Sequence, residues 1–357
     1  MTEIAQAEYI IHVNESDEVI VEKFAICATH KYYSTLRERQ HPGLVLFTSG
    51  STGKPKAAVH DFLLLLEKFK IKRTSLRTLN FLLFDHWGGL NTMFYILSTG
   101  GTIVTTEDRS PDAICKLIEL HRIQLLPVSP TFLNILLISE AYKRYDLSSL
   151  KVISYGTEPM PKSTLTKINK IFPSVKLQQT YGLIELGVLR SKSRSNNSIW
   201  VKIGGEGFQT RIVDGILQIK ADSAMLGYLN APSPFTDDGW FNTADAVERK
   251  GEYIKILGRD SEIINVGGEK VYPAEVESII QEIENVSGVI VYGESNPIIG
   301  NIVCAKVSLI REENHKKISQ KIKIFCRNKL ENYKVPMKII IVDEVQFSDR
   351  YKKIRRN

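Results

Sequence analysis

Residues 79–172 alternate short apolar runs with longer helical patterns, and this alternation constrains the fold more than any other feature. The strand-like runs lie at 79–84, 101–105, 124–129 and 150–156. The helical patterns lie at 112–121, 131–142 and 161–172. Such alternation is typical of parallel strands joined by crossover helices. We therefore predict an α/β domain built on a parallel sheet.

The pattern changes twice further along the chain. After Asn197, short strands separated by turns predict a β-rich subdomain. From Tyr272 the order helix, strands, helix, strand predicts a small α+β unit. A chain of 357 residues is long enough for two or three domains. We place the boundary between Gly258 and Ser261, which gives a large domain at 1–258 and a small one at 259–357.

The net charge of +7 is concentrated at the C-terminal end. Residues 311–357 contain 14 of the 47 basic and 6 of the 40 acidic residues, which leaves residues 1–310 close to neutral. A solvated helix face would explain this, and an anionic ligand or partner is the sharper alternative. Nucleic-acid binding needs a basic surface in aromatic or helix-turn-helix context, which the sequence does not display. We expect no nucleic-acid partner.

Composition and cysteine usage exclude several classes of protein. Hydrophobic residues make up 43% and charged residues 24%, ordinary values that argue against disorder, collagen and coiled coil. No apolar run approaches the ~18 residues that span a bilayer, and the first residues lack a secretory pattern. The cysteines are far apart and form no CxxC pair: Cys27, Cys115, Cys304 and Cys326. This favours the reducing cytoplasm over a disulfide framework or a zinc site.

A run of small, hydroxyl-bearing and basic residues follows a short buried strand at 43–48. It reads Thr48-Ser49-Gly50-Ser51-Thr52-Gly53-Lys54-Pro55-Lys56. Exposed backbone N–H groups, hydroxyls and lysines suit phosphate oxygens, although the spacing does not match a Walker loop. We prefer phosphate binding to a flexible surface turn, and we predict a helix from about Ala57 to Lys70 after it.

Six motifs in order make the chain resemble the adenylate-forming enzymes, which include acyl- and aryl-CoA synthetases, carrier-protein-loading adenylation domains and luciferases. The resemblance covers residues 43–356 and is closest to acyl- or aryl-CoA ligases. Besides the phosphate loop, it rests on Gly156-Thr157-Glu158-Pro159, Tyr181-Gly182-Leu183-Ile184-Glu185, the segment 239–245, Gly258-Arg259 with the segment 265–277, and Lys353-Ile354-Arg355-Arg356.

The resemblance implies two half-reactions on a two-domain fold. A carboxylic acid and ATP give an acyl adenylate and pyrophosphate, and the thiol of CoA or of a carrier-protein phosphopantetheine then displaces AMP. The small C-terminal domain is expected to be a mobile lid that rotates about a hinge near Ser261. Expected partners are ATP and AMP, a small or medium carboxylic acid, and CoA or an acyl carrier protein.

The matching positions imply the site residues. Glu185 would hold a Mg²⁺ that bridges ATP phosphates, and Lys353 would stabilise the charge that develops during adenylation. A frayed basic tail is the alternative for Lys353. Gly267 and Gly268 would let the backbone approach a pantetheine arm, or simply form a tight hairpin turn. The remaining nucleotide contacts would be Thr48, Ser49, Gly50, Ser51, Thr52, Gly53, Lys54, Lys56, Gly156, Thr157, Glu158, Thr180, Tyr181, Gly182, Asp245 and Arg259.

His86 aligns with the histidine or aromatic residue that borders the acyl pocket in many CoA ligases. A histidine satisfied by its local surroundings is the alternative. Asp85 suggests a second substrate class, because amino-acid-activating members of the family use an aspartate nearby to hold the substrate ammonium. The spacing from His86 to Gly100 favours the acyl-ligase pattern.

Departures from the family pattern leave another alternative open. Ile184 and Ala244 stand where the family has threonine and glycine. Only 47 residues precede the phosphate loop, whereas the family has a far longer N-terminal lobe, so we expect a short form with a truncated lobe. This predicts adenylation more strongly than thioester formation. A non-catalytic relative that binds nucleotide or a partner protein is the alternative.

Overall fold

Strands and helices alternate through the first half of the chain, and strands dominate after residue 180. The structure, a computed structural model, describes residues 1–48 and 55–345. The helices are α1 (Lys31–Arg39), α2 (Phe62–Leu66), α3 (Trp87–Thr99), α4 (Pro111–His121), α5 (Pro130–Ser139), α6 (Lys162–Ile171), α7 (Pro273–Ile280) and α8 (His315–Arg327). The strands are β1 (Tyr9–Val13), β2 (Val19–Lys23), β3 (Gly43–Thr48), β4 (Lys56–Asp61), β5 (Arg77–Leu79), β6 (Thr102–Val104), β7 (Leu125–Val128), β8 (Val152–Tyr155), β9 (Lys176–Gln179), β10 (Tyr181–Leu183), β11 (Gly187–Leu189), β12 (Ser191–Ser193), β13 (Val201–Ile203), β14 (Phe208–Val213), β15 (Ile216–Ala221), β16 (Gly227–Tyr228), β17 (Phe241–Lys250), β18 (Tyr253–Arg259), β19 (Ile264–Val266), β20 (Glu269–Val271), β21 (Val286–Asn296), β22 (Gly300–Leu309) and β23 (Lys338–Ile341).

The parallel sheet predicted from the alternating pattern is present, with strand order β6-β5-β7-β8-β9. Every neighbouring pair in it is parallel. Helices α4 to α6 alternate with its strands, and their apolar residues join those of the strands in one buried cluster. Ser110 and Ser129 begin α4 and α5 as caps that accept a backbone N–H, and each is followed by proline. The carboxyl ends of β8 and β9 therefore share one edge, where α/β folds commonly bind ligands.

The ends of the predicted phosphate loop belong to an antiparallel hairpin of β3 and β4, with Thr48 opposite Lys56. The helix predicted from Ala57 to Lys70 is wrong in its first part. That part is strand β4, and the helical residues begin only at Phe62. Residues 57–60 are fully buried and pair with β3 on one side and β16 on the other. This long-range pairing overrides the helix propensity of two alanines.

The β-rich region predicted after residue 197 is also present. Strands β12 to β15, β17 and β18 form an antiparallel sheet in the order β12-β13-β18-β17-β15-β14. Its inner side chains join those of the β16-β4-β3 sheet and of α3 in a second buried cluster, which includes Trp87, Tyr181 and Tyr228. This cluster supports the candidate site from behind.

The C-terminal α+β unit has a separate core. Strands β19 to β23 form its sheet, with β23 parallel to β22, and apolar residues of α7 and α8 join its cluster. It contacts the parallel-sheet region through Asn134 Nδ2, which donates to the Ser287 carbonyl at 2.9 Å. The chain leaves one sheet at Arg259 and enters the other at Ile264, and the domain boundary itself stays a prediction. No helix within 1–48 and 55–345 is long and apolar enough to cross a membrane.

Candidate active site

Two of the predicted nucleotide-binding segments, 156–158 and 180–182, lie side by side after β8 and β9. The backbone N–H and Oγ1 of Thr180 donate to the Tyr155 carbonyl at 2.7 and 3.1 Å. A Cβ on Gly156 would lie 2.4 Å from Thr180 Oγ1, so only glycine permits this approach. Thr157 has a φ of +73°, a left-handed conformation that is strained for threonine. The sequence motif is therefore a tight backbone junction.

Two further predicted residues lie in the same region. Glu158 accepts a hydrogen bond from Thr131 Oγ1, in the first turn of α5, at 2.6 Å. A Cβ on Gly182 would lie 2.9 Å from backbone atoms of Gly187 and Val188, so the β10–β11 hairpin closes only around a glycine. These contacts explain the presence of Glu158 and Gly182 by local structure alone. The nucleotide-binding roles of both residues stay predictions.

Tyr181, Asp245 and Arg259 form one connected group. The Tyr181 hydroxyl donates to Asp245 Oδ2 at 2.5 Å, and Arg259 Nε lies 2.9 Å from Asp245 Oδ1. Arg259 Nη1 also donates to the Thr243 carbonyl at 2.7 Å. Asp245 is opposite Arg259 in the β17–β18 pair, which places the two side chains on the same face. Just before Asp245, Ala244 has a φ of +55°, where the adenylate-forming family has a glycine.

Burial shapes the charge state of this group. It raises the pKa of the Asp245 carboxyl, and the opposing effects of Arg259 and Tyr181 offset only part of that rise. Burial, together with the charge of Asp245, also raises the pKa of the Tyr181 phenol well above its usual range. The phenol is therefore a donor at every ordinary pH. The group can present a carboxylate edge, held by two fixed donors, to the hydroxyls of a ligand.

Glu185, the predicted magnesium residue, lies in the turn between β10 and β11. Its Oε1 accepts a hydrogen bond from the Tyr228 hydroxyl, and its charge interacts with Arg259 and Asp245. The Lys56 ammonium lies 5.4 Å from the centroid of the Tyr228 ring. Lys56 of the predicted phosphate loop, the predicted metal residue Glu185 and the predicted nucleotide contacts Asp245 and Arg259 are thus brought together, although they span two hundred positions of sequence.

The sequence analysis did not identify Tyr228, which links two of these predicted residues. Its partners Glu185 and Lys56 lie far away in sequence, and no local periodicity marks it. The neighbouring Gly227 has a φ of +151° and packs so closely against Tyr32 that a Cβ would collide with that ring. A glycine before an aromatic residue was the only signal available.

A second group lies behind Glu185, and one of its members, His60, was not predicted from the sequence. Trp87 Nε1 donates to the Ile184 carbonyl at 2.7 Å, and the Trp87 ring packs edge-on against His60 with centroids 5.6 Å apart. His60 is fully buried, and its ring nitrogens make no well-formed hydrogen bond within the described residues. Burial lowers the pKa of His60 to about 4. Nearby backbone groups at Ile184 and Ser223 act in the opposite direction and offset only part of this lowering. A neutral imidazole therefore supports the Glu185 turn.

His86 begins α3 as its N-cap. Its Nδ1 accepts the backbone N–H of Gly88 at 3.3 Å, which satisfies one of the donors left open at a helix start. A Cβ on Gly89 would lie 2.3 Å from the Leu83 carbonyl oxygen, so the preceding loop folds tightly onto the helix. The hydrogen bond from Gly88 supports the alternative in which His86 is satisfied by its local surroundings, for one ring nitrogen. The acyl-pocket role of His86 stays a prediction.

Gly267 and Gly268 form the two-residue turn between β19 and β20, with Val266 opposite Glu269. Their φ values are +60° and +93°, the signs required by a type I′ hairpin turn. No described atom lies within 4 Å of a Cβ built on either glycine. The hairpin turn is therefore present, and the pantetheine role of the two glycines stays a prediction.

The remaining predicted residues lie outside the described parts of the chain. These are Ser49, Gly50, Ser51, Thr52, Gly53, Lys54 and Lys353. Within 1–48 and 55–345, no three or more His, Cys, Asp or Glu side chains are grouped to hold a metal. A lone carboxylate such as Glu185 suits Mg²⁺, which is commonly bound by one or two carboxylates together with substrate phosphates.

An α/β domain followed by a β-rich subdomain and an α+β unit is the fold of the adenylate-forming enzymes. Matches to known families agree with it: residues 5–214 match the AMP-binding enzyme family, and residues 275–348 match the AMP-binding enzyme C-terminal domain. The chain belongs to the AMP-binding enzyme family. The resemblance inferred from the motifs is therefore confirmed.

Individual relatives extend this comparison. The indoleacetate–CoA ligase of Aromatoleum aromaticum (strain DSM 19018 / LMG 30748 / EbN1) is 29% identical over 86% of this chain and 64% of the relative. The long-chain-fatty-acid–CoA ligase of Bacillus subtilis (strain 168) is 26% identical over 91% of this chain and 64% of its own length. The structure of the ATP-bound RpMatB-BxBclM chimera B1 superimposes with a TM-score of 0.75 at 26% identity, over 86% of this chain and 65% of the chimera. The chain thus spans just under two thirds of each of these proteins.

Proposed function

We propose that the protein is an ATP-dependent acid–thiol ligase. In the first half-reaction a carboxylate oxygen bonds to the α-phosphorus of ATP, and pyrophosphate leaves. In the second, a thiol sulfur bonds to the acyl carbon, the thiol proton is lost, and AMP leaves. The convergence of Lys56, Glu185, Asp245 and Arg259 through Tyr228 and through their mutual charge interactions carries this proposal.

Each of these residues has a role suited to its chemistry. Lys56 and the hydroxyls of the preceding loop would bind phosphate oxygens. Asp245 and Arg259 would bind the ribose hydroxyls, since their geometry is fixed before ligand arrives. Glu185 would hold Mg²⁺, which supplies positive charge to the phosphates when bound. Lys353 would stabilise the negative charge of the adenylation step.

The relatives and the cysteines bear on the thiol acceptor, the acid and the cellular compartment. Both relatives are CoA ligases, so we favour CoA over a carrier-protein phosphopantetheine. Their names describe an aryl-substituted acid and a long-chain acid, which together favour a carboxylic acid over an amino acid. The four cysteines are free thiols and three of them are buried, which favours the reducing cytoplasm.

ATP–pyrophosphate exchange tests the proposal. The panel would contain arylacetic, benzoic, short-chain and long-chain acids, with amino acids as the competing class. We expect exchange with at least one carboxylic acid and, on adding CoA, loss of the acyl adenylate with release of AMP. Exchange with amino acids alone would instead favour the amino-acid-activating alternative. ATP binding without exchange against any acid would favour the non-catalytic alternative and refute the proposal.

A further inference from the structure

Tyr228 contacts both of the charged side chains that are proposed to meet the ATP phosphates. Its hydroxyl donates to Glu185, and its ring lies under the Lys56 ammonium. Its role is not explained by the ligase chemistry itself. We propose that Tyr228 is a positioning residue, which holds the Glu185 carboxylate for Mg²⁺ and Lys56 for phosphate. This inference rests on the proposed function.

The strand register explains how Tyr228 reaches Lys56. Tyr228 is opposite Ala58 in the β16–β4 pair, and Lys56 precedes Ala58 by two residues on the same strand. Side chains two residues apart share a face of a strand. Lys56 is therefore a diagonal neighbour of Tyr228, close enough for a long side chain to interact with an aromatic ring.

The segment just after the Tyr228 strand also fixes the end of the phosphate hairpin. Asn230 Oδ1 accepts the backbone N–H of Ala57 at 3.0 Å, and Asn230 Nδ2 donates to the Pro55 carbonyl at 2.9 Å. These two bonds hold the backbone on both sides of Lys56. A lysine anchored in this way has fewer conformations to lose when an anion binds.

The segment 225–228 binds both the backbone and the side chain of Glu185. Its backbone carbonyl accepts the N–H of Met225 at 2.8 Å, and its side chain accepts the Tyr228 hydroxyl. Hydrogen bonds to metal-binding carboxylates orient them toward the metal. The Tyr228 hydroxyl bonds to Oε1 of Glu185. It therefore orients the carboxylate without using the second oxygen as its acceptor. Tyr228 therefore couples the orientation of a metal ligand to that of a phosphate-binding lysine.

Replacing Tyr228 with phenylalanine separates this role from simple packing. Tyr228 is 8% exposed and belongs to a buried cluster, and phenylalanine retains both that packing and the ring beneath Lys56. We expect Tyr228→Phe to raise by about tenfold the Mg²⁺ concentration at which the gain in ATP affinity due to Mg²⁺ is half complete. Removal of a hydrogen bond to a metal ligand typically has an effect of this size. ATP affinity without Mg²⁺ should stay within about twofold, because the ring contact remains. Tyr228→Leu, which loses both the hydroxyl and the ring, should raise that Mg²⁺ concentration and also lower the ATP affinity without Mg²⁺.

The measurements are calorimetric ATP titrations across a series of Mg²⁺ concentrations, and binding of Mn²⁺ to the protein–ATP complex followed by electron paramagnetic resonance. Tyr142→Phe is the matched control, because this half-buried tyrosine packs on a different cluster, around the parallel sheet, and it should leave every value unchanged. If Tyr228→Phe does not fold, Tyr228→His, which keeps a donor, is compared with Tyr228→Leu. The proposal would then be supported if the Mg²⁺ dependence of ATP affinity in Tyr228→His is close to that of the unmodified protein, whereas in Tyr228→Leu it is not.

The outcomes separate this inference from the ligase proposal. Unchanged Mg²⁺ and Mn²⁺ dependence in Tyr228→Phe, with normal exchange by the unmodified protein, overturns the positioning role alone. A shifted metal dependence without exchange against any acid supports the positioning role and overturns the ligase proposal. An unmodified protein that binds neither ATP nor Mn²⁺–ATP overturns both.

Discussion

The hydroxyl of Tyr181 donates a 2.5 Å hydrogen bond to Oδ2 of Asp245, and both side chains are buried. The second oxygen of that carboxylate faces Arg259. The sequence predicts these residues as separate ligand contacts, but in the structure they form one unit. Any change to Tyr181 therefore also acts on Asp245.

Tyr181→Phe should destabilise the fold, because it leaves one oxygen of a buried carboxylate without its donor. We expect the free energy of unfolding to fall by about 1–3 kcal/mol, measured by urea denaturation at pH 7. A double-mutant cycle with Asp245→Asn isolates the contact, since the single changes should then not add. Strict additivity would show that the two groups do not interact.

Glu185→Gln should separate metal-dependent chemistry from folding. The amide keeps the size of the side chain and can still accept the Tyr228 hydroxyl, but it lacks the charge that binds Mg²⁺. We expect ATP–pyrophosphate exchange to fall on the order of 100-fold, as when one charge-stabilising group is removed from an active site. The control is Glu252→Gln, which changes an exposed carboxylate paired with Lys202 at 2.8 Å. Equal exchange rates in both variants would refute the role of Glu185.

His60 should make stability depend on pH. The pKa of His60 in the folded state, about 4, lies below the ordinary histidine pKa of 6.5, so the unfolded state binds more protons between these two pH values. The stabilisation is complete above pH 6.5 and is lost as the pH falls toward 4, by about 3 kcal/mol in total. His60→Leu should flatten the unfolding free energy over that window, whereas His12→Gln, on the exposed N-terminal hairpin, should not. An unchanged slope in His60→Leu would contradict the assigned pKa.

The fold was predictable where the determining signals are local. Alternating apolar runs and helical patterns located the parallel sheet, and the order of helices and strands after Tyr272 located the C-terminal unit, because both signals are contained in short stretches of sequence. Strand β4 was not predictable in this way. Its residues are buried on both faces by partners from distant parts of the chain, so they show no period of two.

The residues of the candidate site likewise divide into those that the sequence predicts and those that only the structure identifies. Glu185, Asp245 and Arg259 stand out because they occupy motif positions, and the motif is a local pattern. Tyr228 and His60 act only through residues that the fold brings to them. Their importance depends on the long-range pairing of β4 with β16, which residue order alone does not reveal.

Lys353→Ala tests whether the basic C-terminal end acts in catalysis or is simply a charged tail. Lys353 lies outside the described residues, so this prediction rests on the family motif. We expect adenylation to fall by orders of magnitude while ATP affinity changes little, because the lysine acts on charge that develops in the transition state. Lys352→Ala removes the same charge one position away and should keep most of the activity. Equal losses would favour a non-specific effect of the basic tail.

Gly267→Asn separates the two explanations for the interdomain glycines. Asparagine followed by glycine is a preferred type I′ pair, so the turn and the fold should survive, and the new side chain would enter the open space outside the turn. If a pantetheine arm passes there, thioester formation should fall roughly 10- to 100-fold through its misplacement, while ATP–pyrophosphate exchange stays unchanged. Gly251→Asn is the matched control, since Gly251 has a φ of +63° and equally open surroundings in the β17–β18 turn. If neither half-reaction changes in Gly267→Asn, the turn is purely structural, and the thiol must approach the acyl adenylate by another route.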